Sequence, residues 1–280
     1  MGQKVNPNLL RLKNSKEWFL KNISKTSEEC SIFTFQSVLI KNFLKNILTY
    51  YGIFICNCKI YKTNTFVYIY FSYFLNNKNR KKISSSSFNS KCFMNFILNI
   101  LSTFTGNKLI FRLICQDTNK YILNLAELHK LKRYKLRYIF KKLFEFPFKK
   151  YEKRFKIIFS SLLNVCFHML LQKNSVLLLS EYLANIYSKK IFKKKHMQLF
   201  YFLKEIIKTF LNYKLTKIQG IKVSISGRLN GKLRTQRAWF LHNCLPLSSH
   251  DAIVRYSEST AFTIYGTFGI KVWLFEKKNM

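Results

Sequence analysis

The side chains able to do chemistry in this chain are overwhelmingly cationic. Among 280 residues it carries 49 Lys plus Arg against 12 Asp plus Glu, a formal net charge of +37. Like charges at that density repel across a compact fold unless an acidic partner neutralises them. Nucleic acid is the first such partner and an anionic membrane surface the second. The cations fall in runs. Lys78, Arg80, Lys81 and Lys82 precede serines 84–87, and Lys193, Lys194 and Lys195 are consecutive. Arg228, Lys232 and Arg234 lie in SGRLNGKLR, with Arg237 close behind and Arg255 further on. Each Lys or Arg that neutralises a phosphate adds to the salt dependence of binding.

Other chemistry is poorly provided for. The acids form no paired motif, the five His residues form no HExxH, and no Ser or Cys stands in a nucleophile setting. His242 and Cys244 are close, but chance explains a pair that cheap. SGRLNGK fails the phosphate-loop pattern, because three residues separate its glycines and Leu233 follows Lys232. It is better read as a tight turn presenting Arg228, Lys232 and Arg234. The chain is therefore expected not to be an enzyme and to need no cofactor. The seven Cys are odd in number and irregular in spacing, which argues against a disulfide framework and fits an intracellular or organelle-matrix protein. Cys56 and Cys58 are expected as apolar filler, with a metal shared with another chain as the alternative.

These residues must be held by a folded scaffold. Hydrophobic residues make up 48% and aromatics 17%, enough to bury cores rather than leave the chain disordered. Lys, Asn, Ile, Phe and Tyr abound while Gly numbers 8 and Pro 3, the signature of an AT-rich genome and so of an organelle. The longest apolar run, 157–171, is short for a membrane span and reads as a buried helix. No cleavable secretory signal is visible, and no membrane association is expected.

Residues 1–34 read as a polar extension. A helix over 36–51 shows apolar residues at 39, 40, 43, 44, 47 and 48. Strands at 53–60 and 65–74, a basic loop at 75–90, a helix near 91–104 and a strand near 108–115 complete a small α+β domain over 35–118. Residues 119–173 are rich in basic and aromatic residues, without a clean amphipathic period; within 121–160 there are 12 Lys or Arg and 3 Asp or Glu. Helices follow at 175–189 and 197–213. Five strands are then expected, at 221–226, 235–242, 252–256, 261–265 and 270–275, as an antiparallel sheet backed by those helices. The fold class is α+β.

The two ends resemble one family. Met1-Gly-Gln-Lys-Val-Asn-Pro7, then Leu10-Arg11-Leu12, Lys16 and Trp18, resemble the amino terminus of ribosomal protein S-three of the small subunit. GIKVSISGRLNGKLRTQRAWF from Gly220, Leu245-Pro246-Leu247 and TIYGTFGIKVWLFEK resemble its carboxy-terminal domain. The resemblance implies a degenerate type II KH-like domain at 35–118, a basic insertion at 119–173 and the family's C-terminal domain at 174–280. A KH domain uses a GxxG loop so that its backbone can approach phosphates. Here no glycine stands between Gly52 and Gly106, and the basic loop takes that place.

The resemblance further implies a structural constituent of the small subunit of an organellar ribosome, in the mitochondrial matrix, with a plastid-type organelle as the alternative. Gln3, Lys4, Asn6, Arg11, Lys16, Lys78, Arg80, Lys81, Lys82, Arg228, Lys232, Arg234, Arg237 and Arg255 are the expected rRNA contacts. Lys193, Lys194 and Lys195 would line the mRNA entry path. Small-subunit rRNA, mRNA and the S-ten and S-fourteen families are the implied partners. The rival is an organellar nucleic-acid-processing enzyme, an intron-encoded nuclease or maturase. It explains the charge equally well but needs a carboxylate metal motif that is not found.

Overall fold

The computed structural model describes residues 5–12, 20–75, 90–115, 161–162, 164–166, 176–189, 195–212 and 218–276. The chain divides into two compact units, one built from residues 1–16 and 118–280, the other from residues 17–117. The expected N-terminal extension is thus split between them.

The 17–117 unit begins with strand β1 (Leu20–Asn22) and helix α2 (Ser27–Tyr50), the short helix α1 (Pro7–Leu10) belonging to the other unit. Strands β2 (Ile53–Lys62) and β3 (Phe66–Leu75), helix α3 (Ser90–Thr105) and strand β4 (Lys108–Cys115) follow. The helix expected from residue 36 starts nine residues earlier. Thr26 caps it, its hydroxyl accepting from Glu29 N at 3.2 Å, while Glu29 Oε2 accepts from Lys25 N at 2.9 Å. Glu28 and Glu29 in the first turn also complement the helix dipole. Its buried stripe, Ile40, Leu44 and Leu48, follows the helical period and lies on a sheet of order β1-β2-β3-β4. β2 and β3 form an antiparallel hairpin, and β1 and β4 join it in parallel. Ile55, Cys58, Ile60, Val67, Ile69 and Phe71 meet α2 and Ile97 and Leu101 of α3 in one core.

Cys56 and Cys58 are each 2% exposed, so neither thiol reaches a surface where a second chain could share a metal. Burial pushes the Cys58 thiol up to about 11, which keeps it protonated and apolar. Among the described residues no cluster could hold a metal ion.

The other unit holds helices α4 (Val176–Ser188) and α5 (His196–Asn212) and strands β5 (Ile218–Gly227), β6 (Gln236–His242), β7 (Ile253–Thr263) and β8 (Gly266–Glu276). The sheet is antiparallel in the order β6-β5-β8-β7. Alternation buries Ile221, Val223 and Ile225 of β5 and Ile270, Val272 and Leu274 of β8 on one face. Leu179 and Leu183 of α4 and Leu203 and Ile207 of α5 are buried with them. The five expected strands are four. The polar Ser-Glu-Ser-Thr stretch, 257–260, left between two expected strands, continues β7, and its serines have partners on α4. The hydroxyls of Ser180 and Ser257 lie 2.8 Å apart, and that of Ser259 donates to Ser180 O at 2.6 Å. Of the expected 157–171 helix, residues 161–162 and 164–166 are helical, and Leu162, Val165 and Cys166 are fully buried. Ser161 hydrogen-bonds the Tyr182 hydroxyl of α4. The rest of the expected insertion lies outside the described residues.

The N-terminal segment is stitched to the C-terminal sheet of its unit. Asn8 on α1 uses its side-chain amide as a strand would use its backbone, donating to Tyr256 O at 3.0 Å and accepting from Tyr256 N at 3.2 Å. This closes the outer edge of β7. Arg11 is 4% exposed. Its guanidinium donates to five carbonyls: Pro7 at 3.1 Å, Ala252 at 3.0 Å, Pro246 at 3.3 Å, Leu247 at 2.9 Å and Ser249 at 2.7 Å. The expectation that Arg11 contacts rRNA is therefore corrected. All three of its guanidinium nitrogens are turned onto this chain's own backbone, Nη2 sharing its two N–H groups among three carbonyls.

Arg11→Ala leaves those carbonyls short of a donor. We expect it to destabilise the protein by about 2–4 kcal/mol in urea unfolding, while Arg11→Lys recovers less than half of the loss, because an ammonium cannot span the fork.

Candidate nucleic-acid interface

The turn from β5 to β6 carries the basic cluster Arg228, Lys232 and Arg234. It is tight because Gly227 (φ 152°) and Gly231 (φ 75°) take backbone conformations unfavourable to side chains. A Cβ on Gly227 would come within 2.4 Å of the Phe268 ring. Leu229, 2% exposed, anchors the turn, and Arg228 Nε ties it shut by donating to Lys232 O at 3.0 Å. Lys232, Leu233 and Arg234 are exposed, as is Arg237 at the start of β6.

The same turn caps α5. Asn230, at φ 56°, places its Oδ1 where it accepts from the backbone N–H of His196 at 2.9 Å and of Met197 at 3.4 Å. In return, Asn230 N donates to His196 Nδ1 at 3.0 Å. Asn230 is thus a helix cap supplied from 34 residues away. Accepting at Nδ1 requires a neutral imidazole with its proton on Nε2. Burial favours that form by lowering the His196 pKa. The ring sits edge-on to Phe268 at 4.8 Å between centroids, and the Tyr187 hydroxyl donates to His196 O at 3.4 Å.

The result is a joint between two basic motifs. Lys195 directly precedes the residue that Asn230 grips, and Arg228 and Lys232 flank Asn230 by two residues on either side. Beside this joint a recess of about 380 Å³ is lined by Met197, Leu229, Gln236, Arg237 and Ala238. A surface of this kind can bind phosphates by charge and can seat a sugar or base against apolar and amide groups.

Other expected residues fall elsewhere. Arg255 is paired with Glu276 at 3.1 Å, with 27% of its side chain exposed, and helps to hold β7 to the end of β8. That ion pair gives Arg255 a structural role within the sheet. Asn6 caps α1, its Oδ1 accepting from Asn8 N at 3.0 Å. Gln3, Lys4, Lys16, Trp18, Lys78, Arg80, Lys81, Lys82, Lys193 and Lys194 lie outside the described residues.

The sheet face opposite the helices carries a row that sequence reasoning missed. Lys222 of β5 stands 5.2 Å from the Trp239 ring centroid and 5.4 Å from that of Trp273, and Trp273 meets Tyr256 at 5.2 Å. The strand alternation that puts Trp273 opposite Val272 and Leu274 was the available signal; the cross-strand register was not.

Residues 194–274 match the family described as ribosomal protein S3, C-terminal domain. Among curated relatives, the small ribosomal subunit protein uS3 of Thermotoga petrophila is 50% identical over 58 residues, 21% of this chain and 28% of the relative. The uS3c proteins of Tupiella akineta and Chara vulgaris are 48% identical over 63 residues and 45% identical over 65, covering 22% and 23% of this chain and 28% and 30% of theirs. The chain thus spans less than a third of the length of the relatives it matches. The match covers α5, the capped basic turn and most of the four-stranded sheet, so it is on that domain that the chain is similar to ribosomal protein S3.

Proposed function

We propose that this chain is a structural constituent of the small subunit of an organellar ribosome, binding rRNA and lining the path by which mRNA enters. The observation that carries this reading is the joint between the start of α5 and the basic turn. It sits inside the S3-matched segment of a chain with a net charge of +37. Arg228, Lys232, Arg234 and Arg237 are the rRNA contacts, and Lys193, Lys194 and Lys195 face mRNA. Gln3, Lys4, Asn6, Lys16, Lys78, Arg80, Lys81 and Lys82 extend the rRNA contact. Recognition is by charge and RNA shape at many points rather than by base readout.

In the 17–117 unit, the order α2-β2-β3-α3-β4, with β2 and β3 antiparallel and β4 parallel to β3, supports a degenerate KH-like domain. It offers no GxxG cradle, so its RNA contact runs through side chains of the 75–90 loop. Neighbouring proteins of the S-ten and S-fourteen families are the proposed protein partners. The AT-rich residue usage favours a mitochondrial matrix location.

Sucrose-gradient sedimentation of an organelle extract tests the reading. The chain is expected with small-subunit rRNA through a moderate-salt wash; recovery at the top of the gradient, free of that rRNA, would sink it. In binding assays on purified full chain, replacing Arg228, Lys232 and Arg234 together by Ala should lower the slope of log affinity against log salt by about two to three units, at ~0.7–0.9 per phosphate contact. Arg255→Ala should leave that slope unchanged and cost about 1 kcal/mol of stability through the lost ion pair.

A further inference from the structure

We propose that His196 and Asn230 are positioning residues of the RNA interface: their reciprocal hydrogen bonds lock the basic turn onto the start of α5, so that Lys195 and the cations of the turn engage one RNA as a single surface. This rests on the RNA-binding reading above and goes beyond it, because neither residue carries charge to a phosphate.

Without Asn230 Oδ1, the N–H groups of His196 and Met197 lose their acceptor, and the first turn of α5 is free to fray. Without His196 Nδ1, Asn230 N loses its acceptor, and the turn loses the bond that sets its distance from α5. The two bonds run in opposite directions between the same residues, so they fix orientation as well as distance. Asn230 is also one of two described non-glycine residues with positive φ, the other being Asn243. An asparagine tolerates that conformation and brings the capping amide with it. The surroundings make the joint rigid. Phe268 packs edge-on against the imidazole and under Gly227, and Tyr265 packs against both the imidazole and Gly231. Turn cations held at a fixed spacing from Lys195 meet a phosphate backbone already ordered, whereas a turn that moves independently of α5 loses ordering entropy on binding.

The test uses the purified full chain and a fluorescently labelled single-stranded RNA oligonucleotide, titrated over a range of salt. Asn230→Gly keeps the positive φ and removes the capping amide. His196→Phe keeps an aromatic ring against Phe268 and removes the acceptor. Each is expected to weaken binding at moderate salt by about tenfold and to lower the salt slope by about two units, as turn contacts are lost. The double variant is expected to be no worse than either single, because the two residues form one device. Slopes equal to the parent's would overturn the proposal, whatever happens to the thermal midpoint, since a merely structural role moves the midpoint and leaves the slope alone. Failure of the underlying reading looks different. The parent chain would then bind the RNA without salt dependence, and alanine at Arg228, Lys232 and Arg234 would change nothing, overturning both claims.

Discussion

The joint between Asn230 and His196 is the constraint on which the candidate interface depends. A capping interaction is ordinarily local, made by the residue that starts the helix. Here the donors on α5 are satisfied by a residue between two strands, so helix and sheet edge are registered by hydrogen bonds rather than by apolar packing alone. Apolar contacts tolerate small sliding; directional bonds at 2.9 and 3.0 Å do not. Around that joint the sequence supplies glycines where the Phe268 and Tyr265 rings leave no room for a Cβ, and cations at the positions left facing solvent.

The same unit shows how a chain with this charge remains compact. Strand alternation turns most of its cations away from the core, and the buried face is mainly aliphatic and aromatic. The buried Arg11 has its charge surrounded by carbonyl dipoles, and the half-buried Arg255 is paired with the carboxylate of Glu276. The cations therefore divide into two kinds. Some, like Arg11 and Arg255, hold the domain together; others, like Lys232, Arg234 and Arg237, are exposed where an acidic partner can reach them. Net charge alone does not separate the two.

Much of this architecture is legible in the sequence. Hydrophobic period locates α4, α5 and the paired strands to within a few residues, and the stripe at Ile40, Leu44 and Leu48 identifies the buried face of α2. Two local signals were present and overlooked. Thr26 followed by Glu29 marks the helix start, and the alternation of β7 persists through Ser257 and Ser259. What could not be read is long-range pairing. Nothing in the types of His196 and Asn230 announces a reciprocal bond, and Arg11 looks like an RNA contact until the carbonyls of residues 246–252 are seen around it. The basic motifs stand as separate runs in the sequence; the nearness of Lys195 to the basic turn depends on a topology that brings the β5–β6 turn to the start of α5.

The central claim is that this surface touches RNA in the assembled subunit. Ultraviolet crosslinking of isolated small subunits, followed by identification of the modified peptides, tests it most directly. The account predicts nucleotides attached to the peptides spanning 193–198 and 228–237. Crosslinks confined to other parts of the chain, with both of these peptides unmodified, would contradict it.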